Sequence, residues 1–196
     1  MTYMVLIAAY LLGSLPFGYI MSKILLKTDI RQHGSGNIGA TNVLRVVGWR
    51  AALPVFLLDM LKGFLAVIIA RLVIDVPAVY LGAGFLAMLG HSYPVFLGFR
   101  GGKAAATAIG VMAALSGWAL LIMALVALVA VALTRYVSFG SIVGALLVPL
   151  IFLILGYELP YVIFGIATAL LIIVRHKANI ERLLKGTESK LGQKAR

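Results

Sequence analysis

The residues of this chain most suited to chemistry lie together in His33-Gly34-Ser35-Gly36-Asn37-Ile38-Gly39-Ala40-Thr41-Asn42-Val43-Leu44-Arg45. It is the longest polar, glycine-rich run in a chain that is 63% hydrophobic. Glycines free the backbone to take positive φ and to approach a ligand closely. Ser35, Asn37, Thr41 and Asn42 bring side-chain hydrogen-bonding groups, and Arg45 brings a planar fork of donors. Consecutive N–H groups in such a turn form an anion-binding concavity, most of all where the turn opens a helix. A flexible surface loop would also hold glycines, so this stretch gains meaning only from what surrounds it.

What surrounds it is a membrane. Only 12% of the 196 residues are charged and the mean hydropathy is +1.09, whereas a soluble domain carries about 25% charged residues. Several apolar runs approach the ~20 residues that cross a bilayer. They lack the alternation of barrel strands, so the chain reads as all-α, a polytopic membrane helical bundle. It forms one domain over residues 1–196, with a short basic tail from about 177 and no internal repeat. There is no cysteine, which excludes disulfides and thiolate metal sites. The first apolar run is long and lacks a cationic start, so it reads as a crossing and not as a cleaved leader.

Apolar runs separated by polar turns predict helices over residues 2–27, with Pro16 as a kink, 51–74, 78–97, 138–156 and about 160–175. The run 104–133 is either one long helix or two, broken at Ser116-Gly117-Trp118. Charge decides between them. Two helices make seven crossings, with the N-terminus outside and the C-terminus in the cytoplasm. All 17 basic residues except Lys62 and Arg71 then fall inside, as cytoplasmic loops require. One long helix would put the basic tail outside. Asp75 and Glu158 fall on the outer face. The net charge of +11 is thereby assigned to the inner leaflet and to anionic substrates, and not to nucleic acid. Asp59 and Lys62 stand three apart on one helix face and read as an internal ion pair.

The split makes the fourth helix short: 13 residues, about 20 Å against a ~30 Å core. Gly101-Gly102-Lys103 therefore sits below the membrane surface at the positive end of a helix, where a lysine suits an anion. All the glycine-rich polar segments fall on the cytoplasmic side: the 33–45 stretch, His91 with Gly101-Gly102-Lys103, Ser138 to Ser141, and His176 with Asn179. They predict a shared cationic cavity built on Arg45, Lys103 and His176, with Arg100 nearby. It suits one or two phosphorylated substrates.

Three ordered motifs carry a resemblance across nearly the whole chain. They are Ser35-Gly36-Asn37-x-Gly39-Ala40-Thr41-Asn42-x-x-Arg45, Gly90-His91-x-x-Pro94 leading to Phe99-x-Gly101-Gly102-Lys103, and His176-x-x-Asn179-Ile180-x-Arg182-Leu183-x-x-Gly186-x-Glu188. Together they resemble the bacterial acyl-phosphate:glycerol-3-phosphate acyltransferase family. One departure stands out. The family continues Gly-Gly-Lys-Gly, and this chain has Ala104, which favours helix at that position.

The resemblance implies transfer of a fatty acyl group from acyl phosphate to the 1-hydroxyl of sn-glycerol 3-phosphate. The products are lysophosphatidic acid and inorganic phosphate, in the first acylation of phospholipid synthesis. It implies a multi-pass protein of the bacterial cytoplasmic membrane, in contact with lipid, supplied by a soluble enzyme that makes the acyl phosphate. On this reading the backbone from Ser35 to Thr41, including Gly36 and Asn37, holds the donor phosphate with Lys103. Arg45, His176 and Asn179 hold the glycerol phosphate, Ser141 reaches either, and Asn42, His91, Gly101 and Gly102 complete the binding surface.

The proton acceptor stays open between His176 and the substrate phosphates. His91 is the other histidine candidate, although a structural role is at least as good for it. The His-x-x-x-x-Asp dyad of other glycerolipid acyltransferases is absent: five residues after His91 is Phe96, and five after His176 is Glu181, a candidate to orient it. No Ser-His-acid order supports a covalent acyl-Ser35. No clustered metal ligands appear, so neither metal nor cofactor is expected. A small phosphate-ester transporter is the rival. It would need midplane polar groups and matching broken helices, and only Asp59 and Lys62 fit that. A scaffold held to lipid by its basic tail would leave the histidine, asparagine and glycine placements unexplained.

Overall fold

The computed structural model describes residues 1–193; Lys194 and Arg196, counted above in the basic tail, lie outside the described residues. Ten α-helices follow one another among these: α1 (Thr2–Gly13), α2 (Phe17–Leu26), α3 (Ala40–Val46), α4 (Trp49–Val73), α5 (Pro77–Ser92), α6 (Ala105–Leu115), α7 (Gly117–Thr134), α8 (Val137–Ile154), α9 (Leu159–Arg175) and α10 (Lys177–Leu184). Thr2–Leu26, α4, α7 and α8 are long and apolar enough to cross a membrane. The pair α9 and α10, bent by 63°, makes a fifth if taken as one span.

The first apolar run is not one kinked helix. Proline offers no N–H to the helical ladder, and the chain breaks at Ser14–Pro16 into α1 and α2. The break has a partner. Lys62 of α4 donates to the carbonyl of Leu15, at 2.9 Å. The same ammonium lies 2.8 Å from Asp59 Oδ1, and both side chains are only 2% exposed. His91 Nδ1 is 3.4 Å from that carboxylate oxygen. The ion pair expected from the i,i+3 spacing is therefore internal, and it ties α4 to the α1–α2 break and to the end of α5.

The long run after Lys103 is two helices. Ser116 is extended, and its Oγ accepts a hydrogen bond from Ala119 N at 3.1 Å, capping α7. The short α6 packs closely on α4. A Cβ on Gly63 would run into the backbone of Thr107, and one on Gly110 into the carbonyl of Met60. Glycines that let helix backbones touch are what lipid-embedded packing favours, because apolar burial drives little association there.

Two apolar cores result. The larger joins α4, α5, α6, α8 and α9 around Val67, Met88, Met112 and Phe152. The smaller holds Ile30, Ile38, Val43, Ala51 and Val55. It clamps the polar stretch and α3 onto the start of α4. The tail is more ordered than its polar composition suggests: α10 follows α9 at once, and residues 186–193 fold back as a strap. Leu191 N donates to the Arg135 carbonyl at 2.7 Å, and Arg135 Nη2 donates to the Leu191 carbonyl at 3.1 Å.

Candidate active site

The C-terminal ends of α5 and α9 and the N-terminal ends of α3, α6 and α8 meet at one end of the bundle. They enclose a cavity of about 180 Å³ lined by Ser35, Asn37, Thr41, Asn42, Arg45, His91, Lys103, Ser141, His176 and Asn179, among others. Ten of the thirteen residues singled out in the sequence thus share one space. Gly36, Gly101 and Gly102 do not line it.

Asn42 acts as the scaffold of the polar stretch. Its Nδ2 donates to the carbonyls of Ile30, His33 and Asn37, and its Oδ1 accepts from Ser35 N at 2.8 Å. Only 2% exposed, it spends its amide on the loop and has none left for a ligand. Asn37 Oδ1 accepts from Gly39 N at 2.8 Å. These bonds, with Gly34 and Gly36 at φ 59° and 70°, set the turn that presents Ser35 to the cavity. Both asparagines and Gly36 therefore help to hold the loop, and Asn37 also lines the cavity.

Gly101 and Gly102 also spend their N–H groups within the fold. Their N–H groups donate to the carbonyls of Ser92 and His91, at 3.2 and 2.9 Å, so they form no phosphate nest. Gly102 is needed for close approach, because a Cβ there would collide with Nε2 of His91. His91 is correspondingly a buried support beneath the loop. The donors left for an anion are Lys103 and the first-turn N–H groups of α6, which have no helical partner; Ala105 and Ala106 line the cavity.

Ala104 does not extend the helix as its propensity suggests. It sits in the left-handed region at φ 61°, just before α6, fully buried. The turn that aims Lys103 needs that conformation, which glycine takes without strain. Ala104→Gly should relieve about 1 kcal/mol of left-handed strain and lose about 0.8 kcal/mol of buried methyl. Its melting temperature and turnover should stay near the parent's. Ala104→Val adds β-branching at positive φ and should lower both, which melting curves and rates on the two variants would test.

Lys103 Nζ donates to Asn179 Oδ1 at 2.5 Å. Asn179 Nδ2 donates to Glu188 Oε1 at 2.7 Å. Ser138 Oγ donates to the same oxygen at 2.7 Å, and Arg182 Nε to Oε2 at 2.7 Å. Burial pushes the Lys103 ammonium down to about 8, with Glu188 opposing the shift and Arg182, Arg45 and Arg175 adding to it. Burial also pushes Glu188 up, but hydrogen bonds from Asn179, Ser138 and Arg182 outweigh it and hold the carboxyl below its ordinary value. Arg45 Nη2 donates to the strap carbonyl of Ser189 at 3.2 Å. Ser141 Oγ donates to Val137 O at 3.0 Å, leaving its lone pairs.

His176 Nδ1 is 2.8 Å from the carbonyl of Ile172, so Nδ1 carries the proton and Nε2 a lone pair. Burial, and then the charge of Lys103, push its pKa down to about 4. Glu181, expected to orient it, is exposed and makes no bond to it. The acid that matters is Glu188, quoted with Arg182 in the third motif; these two, and Ser138 of the Ser138–Ser141 segment, were given no role. Its one sequence signal is an acid two residues past Gly186 in a basic tail. Among the described residues, no three His, Cys, Asp or Glu side chains gather as a metal site.

A family model described as "Glycerol-3-phosphate acyltransferase" matches residues 3–186. A glycerol-3-phosphate acyltransferase of Halalkalibacterium halodurans is 46% identical over 98% of this chain and 96% of its own length. That of Desulforamulus reducens is 45% identical over the same shares. The fold matches a crystal structure of PlsY (YgiH), an integral membrane glycerol 3-phosphate acyltransferase, in its glycerol 3-phosphate form. The TM-score is 0.93 at 42% identity, over 97% of this chain and 96% of that one. The lysophosphatidic acid form of that protein matches with a TM-score of 0.89, also at 42% identity, over 97% of this chain and 95% of that one.

Proposed function

This chain belongs to the glycerol-3-phosphate acyltransferase family, and on that premise we propose that it moves a fatty acyl group from an acyl phosphate to the 1-hydroxyl of sn-glycerol 3-phosphate. The observation that carries this reading is a single cavity lined by Lys103, Arg45 and the start of α6 together with the apolar Phe56, Ile109 and Val137. The cations suit the two phosphates. The apolar residues suit the first carbons of an acyl chain whose remainder lies in lipid.

In the reaction, the glycerol oxygen bonds to the acyl carbon and the bond from that carbon to the phosphate oxygen breaks. Lys103 and the α6 N–H groups stabilise the charge gathering on the leaving phosphate, and they are held in place before it forms. Arg45 matches a second phosphate as a planar fork. The hydroxyl proton ends on phosphate. A histidine held near 4 is a weaker acceptor than a phosphate dianion, whose second pKa is about 6. The substrate's own phosphate is the base in this reading, and His176, whose Nδ1 is held by the Ile172 carbonyl, turns Nε2 to the substrates as a hydrogen-bond acceptor.

The same reading takes the chain across the cytoplasmic membrane seven times, N-terminus outside, with the cavity opening to the cytoplasm. The basic residues at the cavity end, against Asp75 and Glu158 at the other, support this orientation. The acyl phosphate is then delivered to the inner face by a soluble enzyme. The test is phosphate release by the purified protein in lipidic mesophase, given palmitoyl phosphate and glycerol 3-phosphate without added metal. Release that needs the acceptor and is absent with acyl-CoA is expected. No release from a folded sample would overturn the reading.

A further inference from the structure

Arg175, the last residue of α9, reaches the loop that carries Lys103. Its Nε donates to the carbonyl of Gly102 and its Nη2 to that of Gly101, both at 3.0 Å. Its guanidinium also stacks 4.7 Å from the centre of the Tyr93 ring. The N–H groups of the same two glycines are taken by α5. All four polar groups of the turn are thus committed, and Arg175 alone supplies the bonds from the α9 side. Arg175 adjoins His176 in sequence and stands four residues before Asn179, which accepts from Lys103. The loop and the α9–α10 bend are therefore joined at two points, once through Arg175 and once through Lys103 and Asn179. Arg175 lines not the catalytic cavity but the more open one beside it, which shares Lys103 and Asn179 with it.

We infer that Arg175 is a positioning residue: by forking onto the Gly101 and Gly102 carbonyls it fixes Lys103 relative to His176 and Asn179. This rests on the proposed acyl transfer for its kinetic consequence, but its geometry is independent of it. A lysine keeps the charge and cannot span two carbonyls while stacking on a ring. The guanidinium also acts on Lys103 as a charge. The groups facing Lys103 are Glu188, which favours its charged form, and Arg182, Arg45 and Arg175, which oppose it. His176 and Asn179 stand beside it.

The experiment compares Arg175→Lys and Arg175→Gln with the parent, as full chains in detergent, using palmitoyl phosphate and glycerol 3-phosphate. A misplacement of about 1 Å costs on the order of 100-fold in rate. Both variants should lose 10- to 100-fold in kcat, with KM for glycerol 3-phosphate changed less than about 3-fold. The alkaline limb of the pH profile should move upward in Arg175→Gln only, because a charge opposing the Lys103 ammonium is gone. Parent kcat in both variants, or a rise in KM at unchanged kcat, would overturn the inference; the second result would make Arg175 a substrate contact. A lower melting temperature with the parent's kcat per folded molecule and pH limb would make it merely structural.

An inactive parent would sink the proposed transfer and not this inference. The Lys103 titration is then followed by NMR of ¹³C-methylated lysines, with the signal assigned by Lys103→Arg. A changed Lys103 signal in both Arg175→Lys and Arg175→Gln, with an upward titration shift added in Arg175→Gln alone, supports the inference; the parent's Lys103 signal in both variants overturns it.

Discussion

Lys103→Ala should lower kcat/KM by about 100- to 1,000-fold while the protein stays folded, because one preorganised charge at a developing oxyanion is worth about 3–4 kcal/mol. Folding should tolerate the change, since the buried ammonium is itself costly. Its pKa near 8 in the folded chain, against about 10.4 when unfolded, fixes two opposite pH trends. Activity falls as pH rises through 8 and Lys103 loses its proton. Stability rises from pH 8 to the unfolded value, because there the unfolded chain binds more protons than the folded one. Rates and melting temperatures measured from pH 7 to 10 on parent and variant should therefore cross. In Lys103→Ala the gain in stability over that window should be absent. At the acid end His176, near 4 when folded and about 6.5 when unfolded, makes stability fall as pH drops through that interval.

Lys62→Met should be the most destabilising single change, by about 3–5 kcal/mol, because it takes from the buried Asp59 carboxylate the cation that pairs it and leaves only His91 beside it. It also leaves the Leu15 carbonyl without its donor. Asp59→Leu with Lys62→Met removes both charges and should recover most of the loss. If the double variant is as unstable as the single one, the ion pair is not the source of the cost. Unfolding in detergent, followed by tryptophan fluorescence, separates the two outcomes.

Which residues gather at the site was legible in the sequence, because chemistry-bearing side chains are rare in so apolar a chain. Ser35, Arg45, Lys103, His176 and Asn179 could be found by type and spacing alone. What each hydrogen bond is spent on was not. Asn42 looks like a ligand in sequence and is consumed by its own loop. Gly101 and Gly102 look like part of the binding surface beside Lys103, yet their N–H groups end on α5. Helix propensity put Ala104 in α6, and the structure has it in a left-handed turn just before that helix. Glu188 depends on the strap folding back over 50 residues of chain separation from Ser138, which no local pattern encodes. The break at Ser116 was legible because charge balance demanded it. The break after α1 was only half legible, since a proline in an apolar run is compatible with a kink or a gap.

That gap ties two distant stretches into one inherited trait. A helix that ran straight through residues 14–16 would keep the Leu15 carbonyl within its own ladder and would leave Lys62 nothing but Asp59 to hold. A lineage that lost Lys62 would carry an orphaned carbonyl in the interior. Neither change is tolerable ahead of the other, so the proline break and the buried lysine are expected to be gained or lost together as lineages diverge.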